Sequence, residues 1–256
     1  MPRHAVGNVQ LGVPRPSREQ GRRGLLCGGV HLLPPKEAAG AHRARRVLMD
    51  RPRYILFAGV NGAGKSTLFK SGLWDRTSVS EAMPRVNSDE ILASHGWEWE
   101  DRAAQLQAGR EALALVRSCL DARTSFNQES TLTGHSIMKT IASARQRGFR
   151  VVLYYVGVGD PEIANRRIER RVEFGGHGVD PETVRRRARA SLDNLVKAVP
   201  LCDEVFLFDN TYLLKPVARI ACGDLVRYEL ENAGVSWPDE VMRRLIAADA
   251  WAGWQD

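Results

Sequence analysis

Between position 53 and about position 210, short apolar runs alternate with longer stretches of mixed polarity. Five runs have strand length: Tyr54–Ala58, Arg85–Asn87, Ser125–Gln128, Arg150–Val156 and Glu204–Phe208. The stretches between them carry helical spacing or helix-start signals. Strands alternating with helices imply a mainly parallel sheet covered on both faces. The longest helical segment is Asp101–Ala122, where Leu106, Leu113, Val116 and Leu120 recur on a roughly helical period and predict the face that covers the sheet. Thr133 is a candidate cap for a helix from about His135 to Arg147, stopped by Gly148. Asp160-Pro161 and Asp180-Pro181-Glu182 each read as a helix start with proline in the first turn. Beyond position 210 come an apolar stretch, Val217–Ala221, and a helix from Pro238 to about Ala248; Trp251 and Trp254 after it fit no pattern.

The first 48 residues differ from the rest. They are rich in Pro, Gly and Arg, show no sustained periodicity, and are predicted to be a disordered leader or an untranslated segment preceding a start at Met49. Their apolar stretch, Gly24–Leu33, is too short and interrupted for a signal peptide. Charge sharpens this division. The leader holds eight Arg and one Lys against two Glu, which is the whole net +7 of the chain, whereas residues 49–256 carry 28 basic and 28 acidic side chains. A nucleic-acid footprint is therefore not expected of the folded part. No segment has the length to span a membrane. Cys27, Cys119, Cys202 and Cys222 lack the paired spacing of a zinc site or disulfide framework, which fits inert thiols in a reducing cytoplasm.

Candidate chemistry begins where the first strand ends. Residues 54–67 read YILFAGVNGAGKST, with Gly59, four residues, then Gly64, Lys65 and Ser66. That spacing lets backbone N–H groups turn inward around phosphates, Lys65 reach the outer phosphates, and Ser66 offer a hydroxyl to Mg²⁺. Gly59, Asn61, Gly62, Ala63, Gly64, Lys65, Ser66 and Thr67 are thus the nucleotide-binding candidates, with Ser66 the metal ligand. A guanine-binding Asn-Lys-x-Asp is missing, and so is a transporter signature. Val205–Asp209 resembles the apolar strand and acid that hold Mg²⁺ in many NTPases, though it lies on the last expected strand.

Two other features suit phosphoryl transfer, which needs cations around the moving phosphoryl group and a carboxylate for the acceptor. Asp89 follows the second strand, in Asn87-Ser88-Asp89-Glu90, and either orients the acceptor or, with Asn87 or Ser88, caps the next helix. Arg166, Arg167, Arg170 and Arg171 precede Gly175-Gly176-His177-Gly178, and Arg185, Arg186, Arg187 and Arg189 follow it, the pattern of an Arg-rich lid over about residues 165–195.

Taken in order, GVNGAGKST, NSDEI, FNQESTLTG at Phe126–Gly134, the segment Arg171–Leu195 and Asp209-Asn210 resemble the zeta toxin family of P-loop kinases, especially its shorter members. The resemblance covers roughly Tyr54–Asn210. It implies a three-layer α/β P-loop NTPase fold with a mainly parallel five-stranded sheet, and with the leader set aside the kinase domain is expected to span 49–256. It also implies an ATP- and Mg²⁺-dependent kinase acting on a UDP-amino sugar such as UDP-N-acetylglucosamine. Asp89 would then act as base, Asn87, Glu129 and Thr131 would bind substrate, and Lys65 would serve the phosphates. Arg171 and one of His177, Arg186 or Arg187 would be the lid cations. Thr133 stands where larger members have Arg. A small helical antitoxin is the implied partner. Two alternatives remain: a kinase for another metabolite or antibiotic hydroxyl, and a non-catalytic ATP-dependent regulator using Asp209 and the basic leader.

Overall fold

The strand Arg53–Ala58 (β1) is buried along nearly its whole length because successive side chains enter two different cores. Tyr54, Leu56 and Ala58 pack into one, Ile55 and Phe57 into the other. An apolar run without polar alternation is what a central strand covered on both faces requires. This computed structural model describes residues 51–74, 83–221, 224–227 (backbone only) and 235–248. The leader, Cys27, Cys222, Trp251 and Trp254 lie outside these residues.

After β1 come α1 (Lys65–Ser71), β2 (Arg85–Val86), α2 (Ser88–Ser94), α3 (Arg102–Asp121), β3 (Phe126–Ser130) and α4 (His135–Gln146). The chain continues through β4 (Arg150–Gly157), α5 (Pro161–Glu173), α6 (Pro181–Ala198), β5 (Glu204–Asp209), β6 (Lys215–Ala221), β7 (Asp224–Arg227) and α7 (Trp237–Ala247). The sheet order is β2-β3-β1-β4-β5-β6-β7. Strands β2 to β5 run parallel to β1, and β6 and β7 add antiparallel pairs.

All five expected strands are present, but among the described residues the sheet has seven: Val217–Ala221 falls in β6, which pairs with β5 on one side and β7 on the other. Helices α3, α4 and α7 feed the Leu56 core, and α1 and α5 the Phe57 core. The fold is therefore the expected three-layer α/β arrangement.

Helix α3 corrects the periodicity reading. Its buried stripe is Ala104, Ala108, Ala112, Val116, Cys119 and Leu120, while Leu106 is 59% and Leu113 38% exposed. Alanines at four-residue spacing let the helix approach closely, and Leu106 falls about 200° from Ala104 around the axis. The first half of α3 packs on α2 through Leu92, Ala104 and Ala108, so only its second half covers the sheet. Thr133 is also reassigned. The residue before α4 is Gly134, which has no side chain to cap with, and the Thr133 hydroxyl is paired instead with that of Thr131 at 2.7 Å.

Candidate functional site

Strands β1 and β3 are neighbours, with Phe57 beside Glu129 and Ala58 beside Ser130. The helix after β1 packs on one face of the sheet and the helix after β3 on the other. The two loops diverge, and a crevice opens at the carboxyl ends of the strands, where ligands bind in open α/β sheets.

The phosphate loop fills one wall. Gly59 (φ 139°) would place a Cβ 2.2 Å from the Val156 carbonyl oxygen on β4. Gly62 (φ 78°) would place one 2.5 Å from the Ala164 carbonyl of α5. Both positions demand glycine on conformation and on space. The Ala63 N–H donates to the Val60 carbonyl at 3.1 Å, closing the turn. Lys65 is only 8% exposed, donates to the Val60 carbonyl at 3.3 Å, and lies 3.8 Å from Glu129 Oε1. Burial lowers its pKa, against the opposing pull of Glu129 and Asp89. The Ser66 hydroxyl donates to the Glu129 carboxylate at 3.1–3.2 Å. A hydroxyl and a carboxylate converging at the crevice form a hard oxygen donor set suited to Mg²⁺. Asn210, after β5, donates to the Ala63 carbonyl at 2.7 Å and braces the loop from below.

Glu129 is the hub of this wall. Besides Ser66 and Lys65 it receives Arg85 Nη2 at 2.8 Å and Asn87 Nδ2 at 3.3 Å. Arg85 also contacts Glu90 at 2.9 Å and lies 3.8 Å above the Phe69 ring. Neither Arg85 nor Glu90 stood out as a site residue, since an Arg opening a two-residue strand has no signature of its own. Only the β2–β3 register, Arg85 beside Asn127, brings it to Glu129.

The ambiguity over the helix cap resolves in favour of Asn87, whose side chain accepts the Asp89 N–H at 3.0 Å. Asp89, one position inside α2, lines the crevice and is exposed to it.

The crevice has two chambers, of about 960 and 640 Å³, that share Lys65, Asp89, Glu129, Trp99 and His177. The larger is lined by the phosphate loop, Lys70, Arg85, Arg167, Arg171 and Asn210. The smaller is lined by Thr131, Thr133, Ser136, Gln105 and Arg187. Among the expected lid cations, Arg187 donates to Asn61 of the phosphate loop at 2.8 Å. Arg171 reaches the larger chamber while its Nε donates to the His177 carbonyl at 2.8 Å, closing the glycine turn. Arg186 stands apart: it lines neither chamber and its nearest partner is Thr183 within its own helix. Its neighbour Arg187 faces inward instead, because one residue along a helix turns the side chain by about 100°.

Arg167, read only as one of a run, lines the larger chamber; its Nη2 contacts the Thr211 carbonyl at 3.3 Å, and its Nη1 is buried without a partner. Asp209, by contrast, is 1% exposed and bound by the Thr211 hydroxyl at 2.7 Å and by Trp237 Nε1 at 3.0 Å. It ties the loop after β5 to α7.

A mainly parallel sheet with the Gly59–Ser66 loop running from its central strand into the following helix defines the P-loop nucleotide-binding fold. Residues 55–196 match the AAA domain family AAA_33, and the chain belongs to that family. An uncharacterized protein of Haemophilus influenzae is 35% identical over 143 residues, 56% of this chain and 97% of its own length. Among solved structures, one of the PezAT chromosomal toxin–antitoxin system of Streptococcus pneumoniae superposes with a TM-score of 0.54 at 16% identity, covering 84% of this chain and 97% of that one. The AvrRxo1-ORF1:-ORF2 complex with ATP gives 0.53 at 14% identity, covering 78% and 76%. The zeta-toxin-like P-loop kinase fold expected from the motifs is thus the fold observed. Among the described residues, no helix is long and apolar enough to cross a membrane.

Proposed function

We propose that residues 49–256 form an ATP-dependent kinase transferring the γ-phosphoryl group to a small-molecule hydroxyl, with residues 165–195 as its lid. The observation that carries this reading is that Asp89 and Lys65, from different elements, line both chambers of one crevice, with Ser66 beside them in the larger. A carboxylate at the junction of a phosphate-binding wall and a second chamber is what in-line transfer to an acceptor requires.

In the transfer, the acceptor oxygen bonds to the γ-phosphorus as the bond from that phosphorus to the β,γ-bridging oxygen breaks. Asp89 takes the hydroxyl proton, and ADP leaves. Lys65, Arg171 and Arg187 offset the phosphate charge; Arg167 extends the cationic wall. Ser66, with Glu129 beside it, would hold Mg²⁺, which supplies charge neutralisation on the phosphates when bound. Asn87 positions Asp89 by capping α2, and Glu129 and Thr131 flank the acceptor. Lid closure excludes water and limits ATP hydrolysis.

A UDP-amino sugar such as UDP-N-acetylglucosamine is the acceptor supported by the zeta toxin resemblance; another metabolite or antibiotic hydroxyl is the alternative. The solved PezAT relative comes from a toxin–antitoxin system, which supports a small antitoxin as partner here. The test is ³¹P NMR of ATP consumption with a panel of acceptors, on wild type and Asp89→Asn. An acceptor-dependent phosphomonoester signal, reduced about 10²- to 10⁴-fold in the variant with ATP affinity kept within twofold, is expected. Slow release of inorganic phosphate alone, unchanged by the substitution, would replace this reading with an ATP-dependent regulator.

A further inference from the structure

Charge is distributed unequally between the two chambers, and the inequality bears on what the second one takes. Of the cationic side chains around the crevice, Lys70, Arg85, Arg167 and Arg171 line only the larger chamber. Among the described residues lining the smaller one, the only Lys or Arg side chains are Lys65 and Arg187. Both are already committed to the phosphate loop: Lys65 to the Val60 carbonyl and Glu129, Arg187 to Asn61. Three carboxylates, Asp89, Glu129 and Asp180, line the same chamber.

The far wall is neutral. Thr131, Thr133, Ser136 and Gln105 supply hydroxyl and amide groups, and Leu113 and Ile137 supply apolar surface. Trp99, half-buried at the junction, presents a flat indole beside His177, with ring centroids 5.4 Å apart. The loop that carries the threonines is held in an unfavourable shape. Leu132 is fully buried at φ 57°, left-handed for a residue with a side chain, and its carbonyl is pinned by Asn194 Nδ2 at 3.0 Å. Backbone held in a sparsely populated region is a feature of ligand-positioning loops. Here it brings the Thr131 and Thr133 hydroxyls within 2.7 Å of each other at the chamber wall.

Building on the kinase reading, we infer that the acceptor is an uncharged polyhydroxylated molecule, of the size of a sugar, polyol or nucleoside, and not a nucleotide sugar. A diphosphate in the smaller chamber would add two negative charges beside Asp89 and Asp180, with Glu129 already paired to Arg85 and Lys65. With ATP in place Lys65 and Arg187 face its phosphates, leaving no described cation to compensate. An uncharged ring would instead stack an apolar face on Trp99 and hydrogen-bond to the Thr131–Thr133 pair and Gln105. Its reacting hydroxyl would then point to Asp89.

The experiment uses the full chain with ATP and Mg²⁺, and follows phosphomonoester formation by ³¹P NMR. One acceptor set is uncharged: N-acetylglucosamine, glucose, a polyol series, uridine and chloramphenicol. The other is charged: UDP-N-acetylglucosamine and glucose 6-phosphate. At least one uncharged acceptor is expected to exceed UDP-N-acetylglucosamine in kcat/KM by tenfold or more. Its KM should change less than twofold between about 0.01 M and about 0.15 M salt, where screening of surface charge changes most. Thr133→Arg, which adds a cation to the neutral wall, should shift the preference toward UDP-N-acetylglucosamine by about tenfold, with folding checked by circular dichroism. A higher kcat/KM for UDP-N-acetylglucosamine than for every uncharged acceptor would overturn the inference while leaving the kinase intact. Failure of all acceptors, charged and uncharged, would overturn the kinase reading and this inference with it.

Discussion

The loops after β1 and β3 leave adjacent strands at the same height, yet they solve opposite problems. The first must bare its backbone, so Gly59 and Gly62 sit at positive φ where a Cβ would strike the Val156 and Ala164 carbonyls. The second lines the smaller chamber with side chains, and its left-handed turn is made by Leu132, which has a Cβ and a full side chain. That choice costs about 1–2 kcal/mol in backbone energy. It is offset by complete burial of the Leu132 side chain and by the hydrogen bond from Asn194. A left-handed turn can relieve its strain with glycine; one built on a residue with a side chain has to be held by its surroundings.

The contrast is breakable at either end. The largest effect is expected at the first loop: Gly59→Ala forces a Cβ into backbone at 2.2 Å and into a conformation that alanine resists. It should destabilise the fold by more than about 3 kcal/mol and abolish ATP binding, measurable by denaturant titration and calorimetry. Retention of nucleotide binding would show that the loop is less constrained than its contacts imply.

Next comes the hub between the loops. Arg85→Ala leaves Glu129 short of its closest cation, with side chains that are only 16% and 11% exposed. Loss of one partner from such a half-buried pair should cost about 3 kcal/mol, lowering Tm by about 6–12 °C, and should raise the KM for ATP. An unchanged Tm would mean that Lys65 and Ser66 suffice to hold the carboxylate.

A smaller effect is expected at the second loop. Asn194→Ala removes the bond that pins the Leu132 carbonyl, an interaction worth about 1 kcal/mol. The acceptor KM should rise about fivefold while the KM for ATP stays constant, a split that general destabilisation would not produce. The smallest effect is expected from removing residues 1–48, which should leave kcat within about twofold if the kinase unit begins at 49. Loss of function on truncation would favour the regulator reading and predicts strongly salt-dependent binding.

How far the sequence reached follows the same division. The turn after β1 was legible because its backbone demands glycines at fixed spacing. Central strands were legible because burial on both faces leaves an unbroken apolar run. The stripe of α3 was not: it is made of alanines, and Leu106 and Leu113, which looked like its core positions, are turned away. Asp89 was legible as a candidate, but its competition with Asn87 for the cap could be decided only by where the first turn of α2 begins.

By itself, the amino-acid sequence determined the order of the elements from β1 to β5 and the glycine positions of the loop after β1, because these depend on local propensity and on neighbours within a few residues. Tertiary structure alone decided that Arg85 meets Glu129 across the β2–β3 register. It likewise decided that Arg187 and not Arg186 reaches the phosphate loop, that Asp209 is tied to Trp237, and that the cations gather on one side of the crevice. Each of these is a long-range contact whose existence depends on strand order and helix rotation, and neither is encoded in the residues that make the contact.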